Sequence, residues 1–157
     1  MKPMLSDSEQ REIEEELSRY PDKQAVCVDA LKIVQRHRGW VSDDAVKEVA
    51  ALLGMSPHEV DGVATFYNLI YRKPVGRHVI HVCDSVSCWV MGCDGICSHL
   101  KERLGIRMGE TTSDGRFTLL PIVCLGACDV APAMMVGGTT HGNLTPQQAD
   151  AILETYA

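Results

Sequence analysis

No stretch of this 157-residue sequence is apolar for the roughly twenty residues that a membrane-spanning helix takes. The first five residues are not followed by the apolar run of a signal peptide, so a cytoplasmic protein without direct membrane insertion is expected. Basic runs are missing too. Residues 1–75 hold 10 Lys/Arg against 13 Asp/Glu and residues 76–157 hold 5 against 8, which leaves each half at −3. A surface that tracks phosphates needs the opposite sign, so nucleic acid is not an expected partner. No glycine-rich loop of the phosphate-binding kind follows a strand-like run, and the chain is therefore not expected to bind NADH or flavin itself. The sequence contains no C-x-x-C, which removes the nucleophile that a thioredoxin-type thiol oxidoreductase needs at its first strand-to-helix turn. Low-complexity tracts are absent, and 45% hydrophobic residues suffice for a packed core.

Cysteine, by contrast, is abundant. Seven in a chain expected in a reducing compartment argue for metal ligation rather than disulfides, and an odd count leaves one without a mate. Two short stretches stand out: Cys83-Asp-Ser-Val-Ser-Cys88 and Cys124-Leu-Gly-Ala-Cys128. Each begins where an apolar, β-rich run stops, at His78-Val-Ile-His-Val82 and at Phe117-Thr-Leu-Leu-Pro-Ile-Val123. A strand that ends on one cysteine, followed by a loop that supplies a second, presents two thiolates from a rigid support. Two such loops make a four-thiolate site, enough for two bridged irons or for one zinc ion.

Cys83, Cys88, Cys93 and Cys97 could also form a quartet by themselves. Cys93 and Cys97, however, fall in a helical stretch beyond the loop and lack the strand-then-loop pattern, so both are read as packing residues, as is Cys27. The expected ligands are Cys83, Cys88, Cys124 and Cys128. Gly126 allows the tight loop and frees backbone N–H groups to point at sulfur, and the helix start near Cys88 is expected to add a positive dipole end. The six histidines are scattered and none pairs with a cysteine at finger-like spacing.

The first half reads as a small helical bundle. Ser6-Asp-Ser-Glu9 is a capping box, with Ile13, Leu17 and Tyr20 following at helical spacing up to Pro21. A second helix runs from Ala25 to His37 before Gly39, a third opens at Asp43-Asp44 and stops at Gly54, and Ser56-Pro-His-Glu59 starts a fourth that continues through Tyr67. Trp40, Phe66 and Tyr67 are expected to anchor this bundle, with partner contact as the alternative. After Pro74-Val-Gly76 the pattern becomes strand 78–83, cysteine loop, helix 88–104, strand 116–123, cysteine loop, strand 133–136 and a final helix from Thr145-Pro146. The expected fold is α/β: a bundle over 1–74 that docks a partner, then a thioredoxin-like β-α-β-β-α domain over 75–157.

Gly62-Val-Ala-Thr-Phe-Tyr67, Gly76-Arg-His-Val79, Cys83-x4-Cys88, Asp114-Gly-Arg-Phe117 and Cys124-Leu-Gly-Ala-Cys128 with Ala131-Pro132 together resemble the small [2Fe–2S] subunit of bacterial NADH:quinone oxidoreductase, respiratory complex I. The resemblance runs from about Ala30 to the C-terminus. It implies one [2Fe–2S] cluster on Cys83, Cys88, Cys124 and Cys128, in a thioredoxin-like ferredoxin domain. It further implies a partner subunit that binds FMN and NADH, attachment through it to the rest of the peripheral arm, and a place peripheral to the inner membrane. The cluster is then expected to accept one electron from that flavin, off the main path to quinone. Related subunits of NAD-dependent formate dehydrogenases and NAD-reducing hydrogenases share the pattern. A structural zinc module with four cysteine ligands is the more distant reading.

Overall fold

In the computed structural model, which describes residues 5–156, the chain divides between Pro74 and Val75 into two compact units.

The first unit is helical, and its caps explain its boundaries. Helix α1 (Asp7–Leu17) opens on a reciprocal box: the Ser6 hydroxyl accepts from the Glu9 N–H, and the Ser6 N–H donates to the Glu9 carboxylate at 2.7 Å. It stops earlier than the apolar spacing implies. Tyr20 precedes Pro21, which disfavours helical backbone there, and the Ser18 hydroxyl donates to the Glu15 carbonyl. A 3-10 turn at Lys23–Val26 leads into α2 (Cys27–Arg38), ended by Gly39 at φ +81. Helix α3 (Asp43–Leu53) is capped by Ser42, and α4 (Pro57–Phe66) by Ser56 with Pro57 in its first position.

Ile13, Leu31, Val34, Val49, Leu53 and Val60 fill a core whose buried residues lie between Ile13 and Ile70, with Leu5 packed against it. Two arginines fix the periphery. Arg38 grips the buried Glu9 through Nε at 2.6 Å and Nη2 at 2.7 Å, and Arg72 joins Asp61, Asp43 and the Val41 carbonyl. Phe66 and Tyr67 do not anchor this core. Phe66 is 78% exposed, stacked edge-on against an exposed Tyr67, because α4 ends there and Tyr67 turns extended.

The second unit is a four-stranded mixed sheet in the order β2-β1-β3-β4. Strand β1 (His78–Cys83) pairs in parallel with β2 (Phe117–Ile122), from His78 opposite Phe117 to Cys83 opposite Ile122. On its other side it pairs antiparallel with β3 (Met134–Val136), which turns at Gly137-Gly138 into β4 (Thr139–His141). This last strand is absent from the sequence expectation: three polar-flanked residues are too few to show a period of two. The helix expected over 88–104 is two helices, α5 (Val86–Val90) and α6 (Cys93–Leu104). Gly92 at φ +92 separates them, a left-handed conformation that no helix interior accommodates. The C-terminal α7 (Pro146–Thr155) carries a Thr145/Gln148 capping box. Ile80, Val82, Leu100, Phe117, Leu119, Met134 and Leu153 form the main core of this unit.

Candidate metal centre

Strand β1 is buried along almost its whole length and delivers Cys83, 3% exposed, at its carboxyl end. Crossover connections between parallel strands concentrate loops at that edge of a sheet, where ligands commonly bind. The Cys83 N–H donates to the Ala133 carbonyl at 3.1 Å, so β3 holds the strand end firm. Three residues later α5 begins, and its single buried side chain, Cys88 at 2% exposure, turns back on Cys83. Burial, followed by the hydrogen bond that its thiol makes to the Cys83 sulfur, pushes the Cys88 pKa above the ordinary range, while a backbone hydrogen bond from Ala133 opposes the shift.

The second loop leaves β2 at the same edge. Cys83 Sγ lies 3.9 Å from the Val123 carbonyl oxygen, which places Cys124 one residue away from the first loop. Gly126 sits at φ +71 and donates its N–H to Cys124 Sγ at 3.3 Å, as its position between the two cysteines implies. Leu125 and Ala127 pack inward against Cys83, Cys88, Ile122, Ala131 and Ala133, while Cys124 and Cys128 are exposed. Cys128 opens a 3-10 turn to Val130, followed by a cis Ala131–Pro132 peptide.

The structure therefore brings Cys83 and Cys88 into contact and sets Cys124 and Cys128 on the neighbouring loop, outside that contact. Among the described residues, no three of His, Cys, Asp and Glu stand close enough to share one metal ion. As a donor set the four thiols suit iron. They are soft ligands, two are shielded from water, and N–H donors at Gly126 and Ala133 already point at sulfur. The dipole expected behind Cys88 is weak, because α5 has five residues, and these local N–H groups take its place.

Cys93 is buried, as expected of a packing residue, but its packing partners are the loop cysteines themselves. It is 2% exposed and packed in the same small cluster as Cys83 and Cys88. The turn at Gly92 causes this, since it starts α6 afresh instead of continuing α5. Cys97 lies one turn further on, against the main core, and Cys27 is buried in the bundle. Burial raises the pKa of all three thiols. The role of Ala133, whose backbone bonds to both buried cysteines, has no signature in the sequence.

Residues 13–157 match the family described as thioredoxin-like [2Fe–2S] ferredoxin, a longer match than the resemblance from Ala30. A relative from Pseudomonas aeruginosa, named as a subunit of NADH-quinone oxidoreductase, is 48% identical over 98% of this chain and 92% of its own length. Its namesake from Escherichia coli K12 is 51% identical over 97% of this chain and 92% of its own. Among solved structures, NAD+-reducing [NiFe]-hydrogenase in the air-oxidized state matches with a TM-score of 0.70 and 27% identity over 83% of this chain, which spans 22% of the hydrogenase chain. Sequence, fold and cysteine pattern agree: the chain belongs to the thioredoxin-like [2Fe–2S] ferredoxin family.

Proposed function

We propose that this chain is the electron-transfer subunit of an NADH:quinone oxidoreductase, holding a [2Fe–2S] cluster beside the flavin of the NADH-oxidising subunit. The observation that carries the reading is near-full-length identity of 48% and 51% to two proteins named as the same subunit of NADH-quinone oxidoreductase. When bound, the cluster supplies a site for one electron at a time.

The chain's own part is to hold and tune. Cys83 and Cys88 would anchor the cluster on the buried side, fixed by the β1–β3 hydrogen bond at Ala133. Cys124 and Cys128 would complete it from the exposed loop. N–H groups of Gly126 and Ala133 favour negative charge on sulfur, while the apolar packing of Ile122, Leu125 and Ala131 keeps water from the buried pair. Residues 1–74 form the helical unit that contacts the flavin- and NADH-binding subunit, and through it the chain joins the peripheral arm. Exposed Phe66, Tyr67 and Leu69 support that role. As part of such a complex the chain takes a peripheral place on the cytoplasmic side of the inner membrane. No helix among the described residues is long and apolar enough to cross a membrane.

The hydrogenase likeness favours one second reading, the equivalent [2Fe–2S] segment of an NAD-reducing hydrogenase. Iron and sulfide content, the visible and electron paramagnetic spectra of the purified chain, and its reduction by NADH with and without the flavin subunit test the proposal. The expected result is two irons per chain, no bound flavin, and reduction by NADH that depends on the flavin subunit. Stoichiometric flavin in the chain alone would overturn it.

A further inference from the structure

The two cysteine pairs differ in access and in how firmly the chain holds them. Cys83 and Cys88 are buried, while Cys124 and Cys128 face solvent. The backbone around the buried pair is tied on both sides. The Cys83 N–H donates to the Ala133 carbonyl, the Asp84 N–H donates to the Ile122 carbonyl, and Cys88 lies inside α5. The loop between the exposed pair lacks such ties. Among the described residues, no backbone group of Cys124, Leu125 or Gly126 bonds to the backbone of another segment, and the Gly126 N–H is spent on the Cys124 sulfur.

Leu125 and Ala127 of that loop pack against the small core that contains Cys83 and Cys88. The loop thus carries two of the proposed ligands and covers the other two. A group as large as two bridged irons reaches Cys83 and Cys88 only when this cover moves, and a segment with few hydrogen bonds to its surroundings is the one that opens most readily. A buried thiol stays inert until such an opening, whereas an exposed one reacts directly. Two bridged irons take two thiolates each, so a site built from two pairs can be filled one iron at a time.

We infer that Cys124 and Cys128 are the entry pair: they take a preformed [2Fe–2S] cluster from a donor that holds it on thiolates, and Cys83 and Cys88 bind last, as the loop closes. The inference rests on the electron-transfer reading and adds the class of reaction that supplies the cluster. At each of the four positions a cysteine sulfur forms its bond to iron, the donor's thiolate gives up its own, and the cysteine proton passes to the departing thiolate. Four Fe–S bonds form and four break, no electron moves, and the bridging sulfides stay in place. Ferrous iron and sulfide taken separately would have to assemble over the entry pair with half of the ligands still covered. A ready cluster keeps its second iron capped by the donor until the loop closes.

The test uses the full chain stripped of metal, with the [2Fe–2S] complex of glutathione as donor, followed by native mass spectrometry and visible absorption. Cys83→Ser/Cys88→Ser captures the cluster at a rate within about twofold of wild type and stops with glutathione still bound on the second iron. Cys124→Ser/Cys128→Ser keeps as many thiols but captures about tenfold or more slowly, because its pair reacts only through local opening. If circular dichroism shows that this variant has not folded, brief treatment of the metal-free wild type with iodoacetamide carries the test. It caps Cys124 and Cys128, spares the buried pair, and slows capture to the same degree. Capture by Cys124→Ser/Cys128→Ser as fast as by Cys83→Ser/Cys88→Ser, capture by neither, or an alkylated chain that is not slowed overturns the inference. Faster loading of the wild type from ferrous iron and sulfide than from the glutathione complex, at matched iron, also overturns it. A wild-type chain that loads in the expected order but stays unreduced by NADH beside the flavin subunit overturns the functional reading instead.

Discussion

Asp84 donates its backbone N–H to the carbonyl of Ile122 at 3.0 Å, one residue past Cys83 and two before Cys124. This bond extends the β1–β2 register beyond the last paired residues and makes the two cysteine loops leave the sheet side by side. The relation between the loops is therefore set by backbone pairing, and side-chain changes in either loop act on the site without altering where the loops begin.

Cys83→Ser, Cys88→Ser, Cys124→Ser and Cys128→Ser should each abolish or strongly alter the cluster spectrum, since a serine oxygen is a poorer ligand for iron than a thiolate. Cys27→Ala and Cys97→Ala should leave it intact. Cys93→Ala should also keep the colour but cost about 1 kcal/mol in stability, because it empties space beside the buried pair. Visible absorption, iron content and thermal unfolding of the seven variants check this. A colourless Cys93→Ala beside a coloured Cys128→Ser would refute the proposed ligand set.

Gly142 faces the turn that follows Cys128. A Cβ there would collide with the Val130 side chain and lie 2.7 Å from its carbonyl oxygen. The same segment is tied down by Leu144 N–H to the Pro132 carbonyl at 3.1 Å. Gly142→Ala should therefore cost about 1–3 kcal/mol and loosen the exit of the second cysteine loop, read as a lower melting temperature and faster loss of iron to a chelator. Gly62→Ala, at a helical position with open space, is the control. Equal behaviour of the two would contradict the packing role.

The Glu9–Arg38 pair predicts a pH dependence. Burial alone would raise the Glu9 carboxyl, but hydrogen bonds from Arg38 and Ser6 outweigh it and hold the pKa down to about 2 from 4.5. A depressed folded pKa means stability fully present above about pH 4.5 and lost as pH falls towards 2, on the order of 1–3 kcal/mol. Glu9→Gln should flatten that part of the stability curve. Arg38→Ala, which leaves a buried carboxylate unpaired, should cost about 3 kcal/mol at neutral pH. Denaturant unfolding between pH 2 and 7 decides it, and an unchanged slope in Glu9→Gln would refute the account.

A chain that begins at Lys73 should still form the sheet and load iron, because the residues that make up the second unit's cores lie between Ile80 and Tyr156. It should retain the flavin subunit more weakly than the full chain. Circular dichroism, iron content and co-purification on the same sample check this, and a colourless aggregate would show that the helical unit is needed for the fold.

What the sequence made legible was governed by local chemistry. Ser6, Ser56 and Thr145 announce their helices because a capping box is written within four residues. The ends of β1 and β2, at Cys83 and Ile122, show to within a residue as breaks in apolar runs. What stayed hidden depended on backbone conformation or on distant partners. Gly92 looks like any glycine until its φ is known, and the helix it interrupts has good residues on both sides. Phe66 and Tyr67 are large and aromatic, so core is the natural reading, and their exposure follows from where α4 happens to stop. The packing of Cys93 beside Cys83 and Cys88 follows from that same turn at Gly92.

The parallel pairing of β1 and β2 has a consequence for biogenesis. Cys83 and Val123 meet across 40 residues, with α5, α6 and the 106–116 turn between them in the chain. Pairings of such sequence separation close late in folding. On the proposed ligand set, Cys83 with Cys88 and Cys124 with Cys128 stay apart in a half-folded chain, and the four-thiolate site is complete only once β1 and β2 have paired. On that ligand set, loading is a proofreading step: a chain that carries the cluster has, by that fact, brought its two cysteine loops together across the sheet.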